Sequence, residues 1–110
     1  MPILRHYLTQ DGRDPFNAFL MDVKDPIAKA MIAVRVARMG AGNYGDCKPC
    51  REGVSELRID RGPGYRVYYS PVPGSFTGDI VLLLLGGTKK KQNQDIEKSI
   101  RYLKDYKERK

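Results

Sequence analysis

The sequence predicts an α+β fold with the element order β-α-α-β-β-β-α, formed by one domain that spans residues 1–110. Three observations lead to this prediction. The pairs Asp14-Pro15 and Asp25-Pro26 are typical helix starts, because Asp caps a helix and Pro fits its first turn. Residues 56–60 and 65–70 alternate between the two faces of a strand, as strands with one buried face do. Residues 80–85 are apolar throughout, which is typical of a central strand covered on both faces.

The first half of the chain predicts one strand and a helical hairpin. Residues 3–8 form the strand, and the first helix begins at Pro15 with apolar residues at helical spacing. The second helix begins at Pro26 and ends at the glycine-rich residues 40–45. We expect its buried stripe to consist of Ile27, Ala30, Met31, Val34 and Ala37. The two short helices should pack antiparallel against the sheet.

The second half predicts a twisted, mainly antiparallel sheet followed by a helix. Residues 56–60 and 65–70 are predicted to form two strands joined by the turn 62–64. A second connection, from Pro71 to Gly78, leads to the next strand. The apolar strand Ile80 to Leu85 should end at Gly86-Gly87. The last helix is expected from about Asn93 to Tyr106, with Thr88 or Asn93 as its N-cap.

The charge balance favours a polyanionic partner. The chain has 20 Lys and Arg against 13 Asp and Glu, a formal net charge of +7. Nucleic acid, a ribosome or an acidic protein segment would suit this excess, and a solvated surface that only aids solubility is the alternative. The longest apolar run is too short to cross a bilayer, and the first eight residues show no signal pattern. We therefore expect a cytoplasmic protein.

Four common catalytic and nucleotide-binding motifs are absent from the sequence. It contains no GxxxxGK[ST], GxGxxG, HExxH or Ser-His-Asp set. Cys47 and Cys50 form a CxxC pair, which suits a redox couple or half of a zinc site. Zinc needs two more ligands, and the only histidine, His6, is remote in sequence and is read as a structural or surface residue. We expect two ordinary half-buried thiols, no metal and no cofactor.

Two arginines stand on the predicted hairpin at positions that should share one face with a tyrosine. If Leu57 and its apolar neighbours face the helices, Arg58, Arg66 and Tyr68 lie on the opposite face. Two adjacent arginines repel each other unless an anion lies between them. Such a face can bind phosphate through the guanidinium groups and stack a base on the ring. Alternatively, each arginine pairs with Glu56, Asp60 or Asp79 and serves only the structure.

A second cationic segment follows the predicted central strand. Lys89-Lys90-Lys91-Gln92 comes directly after the glycine pair, at the carboxyl end of that strand and the entrance to the last helix. This is a plausible anion site, and a solvated charged face is the alternative. If the segment lies close to Arg58 and Arg66, the two groups together would neutralise a phosphate from two sides.

Several stretches of the sequence together resemble one known family. They are GVSELRIDRGPGYRVYY, LLLLGGTKKKQNQDI, DGRDPF and GNYGDCKP. Taken together, and in their order along the chain, they resemble the HigB-like "addiction module killer" proteins of the RelE/ParE superfamily of bacterial toxins. The likeness covers most of the chain, from about Tyr7 to Tyr106. It implies the RelE-like fold, a small sheet packed by an N-terminal helical hairpin.

The resemblance also implies an activity. RelE- and HigB-like toxins of type II toxin–antitoxin systems cut mRNA in the ribosomal A site, where the 2′-hydroxyl attacks the neighbouring phosphate. By position, Arg66 resembles the arginine that binds the scissile phosphate, and Arg58 a basic strand residue that activates the hydroxyl or holds phosphate. The segment Lys89–Lys91 falls where relatives stabilise the developing charge, and Gln92 also matches the pattern.

We therefore expect a metal-independent endoribonuclease with two sets of site residues. The catalytic set is Arg58, Arg66, Lys90 and Lys91. The RNA-binding set is Lys48, Tyr68, Lys89 and Gln92. The implied partners are the ribosome, mRNA and a cognate antitoxin of the helix-turn-helix DNA-binding kind. Two alternatives stay open: a ParE-like inhibitor of DNA gyrase that cuts no RNA, and an inactive homologue that only binds its antitoxin.

Overall fold

The computed structural model describes residues 3–73 and 79–109, which form a five-stranded sheet and three α-helices. The strands are β1 (Ile3–His6), β2 (Cys47–Arg51), β3 (Val54–Ile59), β4 (Tyr65–Pro73) and β5 (Asp79–Thr88). The helices are α1 (Pro15–Asp22), α2 (Pro26–Gly40) and α3 (Gln92–Glu108), with one 3₁₀ turn at Lys89–Lys91. The strand order is β1-β5-β4-β3-β2; β1 runs parallel to β5 and the other pairs are antiparallel. The α+β prediction is confirmed.

Helices cover the sheet on both faces, so the protein has two apolar layers. Residues of α1 and α2, such as Phe16 and Ile32, pack against Leu57 and Val67 on one face. Residues of α3, such as Ile96, pack on the other face together with Leu82 and Tyr68 of the sheet. The unbroken apolar sequence of β5 follows from this arrangement, because its alternate side chains enter the two layers. No helix among the described residues is long and apolar enough to span a bilayer.

The two Asp-Pro pairs begin helices as the sequence predicts. The Asp14 carboxylate accepts a hydrogen bond from the backbone N–H of Asn17 (3.0 Å), and Asp25 accepts one from Ile27 (3.0 Å). Each bond satisfies an N–H that has no partner within its helix. His6 has the structural position that we expected, since its Nδ1 lies 2.7 Å from the second oxygen of Asp14.

The predicted buried stripe of α2 is wrong. The residues expected in the core are all exposed, and the core side of the helix consists of Ala28, Ile32, Val36 and Met39. Both sets of positions are apolar and both recur at helical spacing. Periodicity therefore could not select between them, and the packing of the helix on the sheet decides.

The segment between α2 and the first strand of the predicted hairpin contains an additional strand. Cys47–Arg51 pairs antiparallel with β3, with an irregularity between Pro49 and Arg51. As an edge strand, β2 tolerates the missing N–H of Pro49. Cys47 and Cys50 are free, half-buried thiols, as predicted, and they pack against opposite faces of the sheet.

Strands β4 and β5 are longer than predicted, whereas β1 is shorter and ends at His6. Pro71 and Pro73 continue β4 beyond Tyr69, the last residue of β4 that pairs with β3. The rest of the predicted connection, 74–78, lies outside the described residues. Gly86 and Gly87 do not end β5 but lie within it.

The glycine pair in β5 allows two helices to approach the sheet closely. A Cβ on Gly86 would overlap the ring of Phe19 from α1, and a Cβ on Gly87 would overlap the Asp95 carboxylate from α3. The α3 helix then begins at Gln92 and ends at Glu108, slightly beyond both predicted limits. Neither expected N-cap is correct, because the cap is Lys91 and its side chain makes no capping bond.

Candidate nucleic-acid interface

Arg58 and Arg66 face each other directly across the β3–β4 hairpin, as the alternation predicted. They are partners in the strand register, and the next pair on the same face is Glu56 and Tyr68. This face is the one that α3 covers, because the alternate residues Leu57 and Val67 enter the layer beneath α1 and α2. The two guanidinium groups therefore lie at the edge of the α3 layer.

The anion between the two arginines is the carboxylate of Glu56. Its side chain is fully buried, and Oε2 lies 2.5 Å from Nε of Arg58 and 3.7 Å from Nε of Arg66. Oε1 accepts hydrogen bonds from Nε2 of Gln92 (3.0 Å) and from Sγ of Cys50 (3.4 Å). Buried charges persist in proteins only when they are paired and hydrogen-bonded in this way. Of the pairings considered from sequence, the one with Glu56 is confirmed for both arginines.

The buried carboxylate changes the ionisation of two neighbours. The hydrogen bond from Arg58 to Glu56 raises the pKa of the Arg58 guanidinium. The pKa of the Cys50 thiol rises to about 11, first because the thiol is buried and second because it donates to Glu56. Cys50 is therefore a protonated donor at neutral pH, and the reactive thiolate of a redox CxxC pair is not favoured.

Arg66 differs from the exposed phosphate fork that the resemblance implies. Its side chain is only 6% exposed, and Nη1 donates to the backbone oxygen of Tyr65 (3.0 Å). Nε makes no hydrogen bond within the described part of the chain. Arg58 is more accessible, with 30% of its side chain exposed. The side-chain amide of Gln92 also has a partner inside the protein, since its nitrogen donates a hydrogen bond to Glu56.

The prediction that Tyr68 stacks an RNA base is wrong. The residue is fully buried beside Leu85, its register partner on β5, and Ile96 of α3 lies in the same apolar cluster. Burial raises the pKa of its hydroxyl, and this hydroxyl has no hydrogen-bond partner among the described residues. The alternation correctly assigned Tyr68 to the face of Arg58, but it could not indicate that α3 covers that part of the face.

The lysine segment lies against the end of the hairpin, close to Arg66. The backbone N–H of Lys89 donates to the carbonyl of Gly64 (2.7 Å) in the β3–β4 turn. A Cβ placed on Gly64 would lie 3.4 Å from Cβ of Lys89 and 3.6 Å from Nη1 of Arg66. Gly64 has a φ of +78°, a conformation that favours glycine. Lys89 and Arg66 therefore both lie beside Gly64, which brings the start of the lysine segment close to one of the two arginines.

Exposed cations surround the buried ion cluster. Lys89, Lys90 and Lys91 are all exposed, and the segment from Lys89 to Gln94 lines a cavity of about 630 Å³. Lys48 is exposed on β2 and lies directly across from Glu56 in the register. We define the cationic surface as Lys48, Arg58, Lys89, Lys90 and Lys91. The exposed cations of this surface suit contacts with phosphate oxygens. The buried Glu56 carboxylate holds Arg58 in position through their ion pair.

A larger groove of about 1050 Å³ runs between α1 and α3. Phe19 and Asp22 line one wall, Asp95 and Lys98 the other, and the end of β5 lies between them. Burial raises the pKa of Asp95, and Lys91 and Lys98 oppose this rise. Acids and bases both line this groove in equal number, which suits a polyanion less well than the cationic surface does.

Sequence reasoning identified the two arginines but not the residue that organises them. Glu56 was considered only as a structural partner, although the alternation already assigned it to the face of Arg58 and Arg66. A carboxylate two residues before an arginine on one strand is the signal that would have found it. The contribution of Cys50 had no such signal, because β2 was not predicted.

Comparison with known proteins identifies a relative of the same size class. No family model matches the chain. An uncharacterized protein of Haemophilus influenzae is 43% identical over 84 residues, which are 76% of this chain and 81% of that protein. Identity at this level over most of both chains shows common descent and a shared fold. The chain therefore belongs to the same family as this Haemophilus influenzae protein.

Proposed function

We propose that the protein is the toxin of a type II toxin–antitoxin pair and cleaves mRNA on the ribosome. One observation carries this proposal: Lys89 contacts the hairpin turn at Gly64, which places the lysine segment at the same end of the hairpin as the partly exposed Arg58. The net charge of +7 and the resemblance to HigB-like toxins support it further. The action on ribosomes implies a cytoplasmic protein.

The proposed reaction is an in-line transesterification. The 2′-hydroxyl loses its proton and attacks the adjacent phosphorus, the bond to the 5′-oxygen breaks, and that oxygen leaves with a proton. Arg58, Lys90 and Lys91 stabilise the extra negative charge of the transition state. Lys48 and Lys89 hold neighbouring phosphates. The ribosome contributes by holding the mRNA in the in-line geometry, which this small domain need not enforce alone.

In this proposal Arg66 and Gln92 are positioning residues. Both contact the Glu56 carboxylate, which in turn holds Arg58 at 2.5 Å. A direct bond from Arg66 to the scissile phosphate would require its nearly buried guanidinium to leave this cluster. The assignment therefore shifts phosphate binding from Arg66 to Arg58 and the lysine segment. Substitution of Arg66 would test folding and activity together, so it is a poor first variant.

The proposed partners are mRNA, the ribosome and an antitoxin. An antitoxin that neutralises the activity would cover the cationic surface with acidic residues, since oppositely charged surfaces associate fastest and most specifically. The resemblance to HigB-like proteins supports a helix-turn-helix antitoxin that also binds DNA.

The test compares two variants that each lose two positive charges. Lys90→Ala/Lys91→Ala alters the cationic surface, and the control Lys104→Ala/Lys107→Ala alters exposed residues near the far end of α3. Each protein is expressed from a tight promoter, and growth and mRNA 5′ ends are measured. We expect wild type and control to stop growth with cleavages in codon register, and the Lys90/Lys91 variant to lose both effects.

Other results would contradict the proposal in different ways. If growth stops while mRNA stays intact, the endonuclease function is excluded, and DNA supercoiling by gyrase becomes the next measurement. If the folded wild type neither stops growth nor cuts mRNA, the toxin proposal is excluded, and antitoxin binding by an inactive homologue becomes the next measurement. If both double variants lose activity equally, general charge and not the cationic surface is responsible.

A further inference from the structure

The helix α2 presents a second apolar face to solvent. All of its members are exposed, and they recur at helical spacing over three turns: Ile27, Ala30, Met31, Ala33, Val34 and Ala37. Ile27 is 56% exposed and Val34 49%. We call this set the outer α2 face. Because the opposite side of the helix is buried in the core, α2 is apolar on two opposite sides, with Lys29 and Arg35 between them and Arg38 near the C-terminal end.

Nothing within the described residues 3–73 and 79–109 covers the outer α2 face. Contiguous exposed apolar patches, unlike apolar residues scattered singly over the surface, mark interaction sites. The residues of the outer α2 face also indicate which kind of partner surface would fit against it. Ala30, Ala33 and Ala37 form a low ridge along the helix, and small residues allow another helix axis to approach to about 8 Å. A helix with larger apolar side chains would fill the space above the alanines.

The charges beside the outer α2 face are mainly positive. Arg38 is exposed at the C-terminal end, Lys24 is exposed just before the helix, and Lys29 lies at the N-terminal end. The nearby Asp25 carboxylate already has partners, since it caps α2 and its Oδ2 lies 2.8 Å from Nε of Arg61. The remaining acid at this end is the exposed Asp22. A partner with acidic residues at the rim of its apolar stripe would therefore be complementary.

A second copy of this chain is a poor occupant for the same reason. Antiparallel pairing of two α2 helices would bring Lys24 and Lys29 of one copy toward Arg38 of the other. Parallel pairing would bring the two Arg38 residues together. Each arrangement places like charges around an apolar contact between two chains of charge +7.

We propose that the outer α2 face binds an amphipathic helix with acidic flanks that belongs to a different protein. The α2 helix lies on the sheet face opposite to α3, whereas the cationic surface lies on the α3 side. A helix bound at α2 therefore leaves the cationic surface open, and the protein can hold this partner and a polyanion at the same time. The proposal does not depend on RNA cleavage.

The experiment uses the full chain and two synthetic helices of about 20 residues, long enough to be helical in isolation with strong helix formers. Both carry the same leucine stripe; one has glutamates at its flanks and the other has lysines. Binding is measured by fluorescence anisotropy, and the contact residues by amide chemical shifts. We expect the glutamate peptide to bind at least about tenfold more tightly than the lysine peptide, with shifts concentrated on α2.

Two variants of equal charge change locate the site. Ala33→Glu/Val34→Glu adds two negative charges on the outer α2 face, and Arg101→Ala/Lys104→Ala removes two positive charges from the exposed side of α3. The first should weaken binding of the glutamate peptide about tenfold or more, and the second should bind it like the wild type. Ile27→Gln, which changes no charge, should also weaken binding and shows that the apolar contact matters. Circular dichroism verifies that each variant is folded.

Three results would overturn the proposal. The first is absence of binding by the wild type, and the second is equal binding of both peptides. The third is self-association of the wild type that Ala33→Glu/Val34→Glu abolishes, which would assign the face to a second copy. The growth and mRNA measurements on this variant separate the two proposals: we expect its toxicity to equal that of the wild type whether or not the peptide binds.

Discussion

The substitution Glu56→Gln tests whether the buried carboxylate holds the arginine pair. Glutamine keeps the shape and one oxygen acceptor but removes the charge that lies 2.5 Å from Arg58 and 3.7 Å from Arg66. Removal of one partner from a buried ion pair costs about 3–5 kcal/mol, because the other charge stays buried and unpaired. Arg66 is nearly buried, while Arg58 is partly exposed and keeps some hydration. We therefore expect the lower end, about 3 kcal/mol of unfolding free energy.

This loss is large enough to measure directly. For a domain of about 100 residues, each kcal/mol shifts the thermal midpoint by about 4–8 °C, so the Glu56→Gln variant should unfold about 12–24 °C below the wild type. Urea unfolding followed by circular dichroism gives the free energy independently. The matched control is Glu97→Gln, which removes an exposed carboxylate 3.4 Å from Arg51 and should leave the midpoint nearly unchanged. A loss below about 1 kcal/mol for Glu56→Gln would refute the reasoning, because the arginines would then not need the buried charge.

Three further predictions follow from the packing and the pKa values. The pKa of Cys50, about 11 against an ordinary 9.0, should slow its alkylation at pH 8 by about 100-fold relative to a free thiol, and a normal rate measured by mass spectrometry would contradict the burial. Gly86→Ala should destabilise the protein by about 1–3 kcal/mol in urea unfolding, because the new Cβ overlaps the ring of Phe19. Adding Phe19→Leu should restore part of this loss. If the double variant is no more stable than Gly86→Ala alone, the overlap is not the cause. Burial and the hydrogen bond to Asp105 raise the pKa of Tyr7 from 10.0 to about 12, so its contribution to stability is complete below pH 10 and is lost as the pH rises toward 12. Tyr7→Phe should flatten the pH dependence of stability in this window, and an unchanged slope would exclude Tyr7 as its source.

The fold could be predicted from sequence where the signal is local. Asp14 and Asp25 begin helices because an acceptor beside the first turn and a proline inside it act within a few residues. Other boundaries depended on neighbours distant in sequence. Gly86 and Gly87 normally end a strand, yet here they continue one, because Phe19 and Asp95 occupy the space that side chains would need.

The candidate site was predicted only in part. Alternation correctly assigned Arg58 and Arg66 to one face, since the period of a strand is set by its own backbone. The depth of each residue below the surface was not predictable in this way. Tyr68 and Arg66 share that face and are both buried, and Tyr68 packs beneath α3, a helix that begins four residues after β5 ends.

By itself, the sequence determined the α+β class, the two capped helices, the facing arginines and the basic surface charge. These features depend on composition, periodicity and contacts between residues close in the chain. Only the tertiary structure decided which apolar side of α2 enters the core, that β2 forms an edge strand, and that Glu56 is enclosed by Arg58, Arg66, Gln92 and Cys50. Each of these depends on how separate elements pack, because burial is a property of the assembled layers and not of a residue's neighbours along the chain.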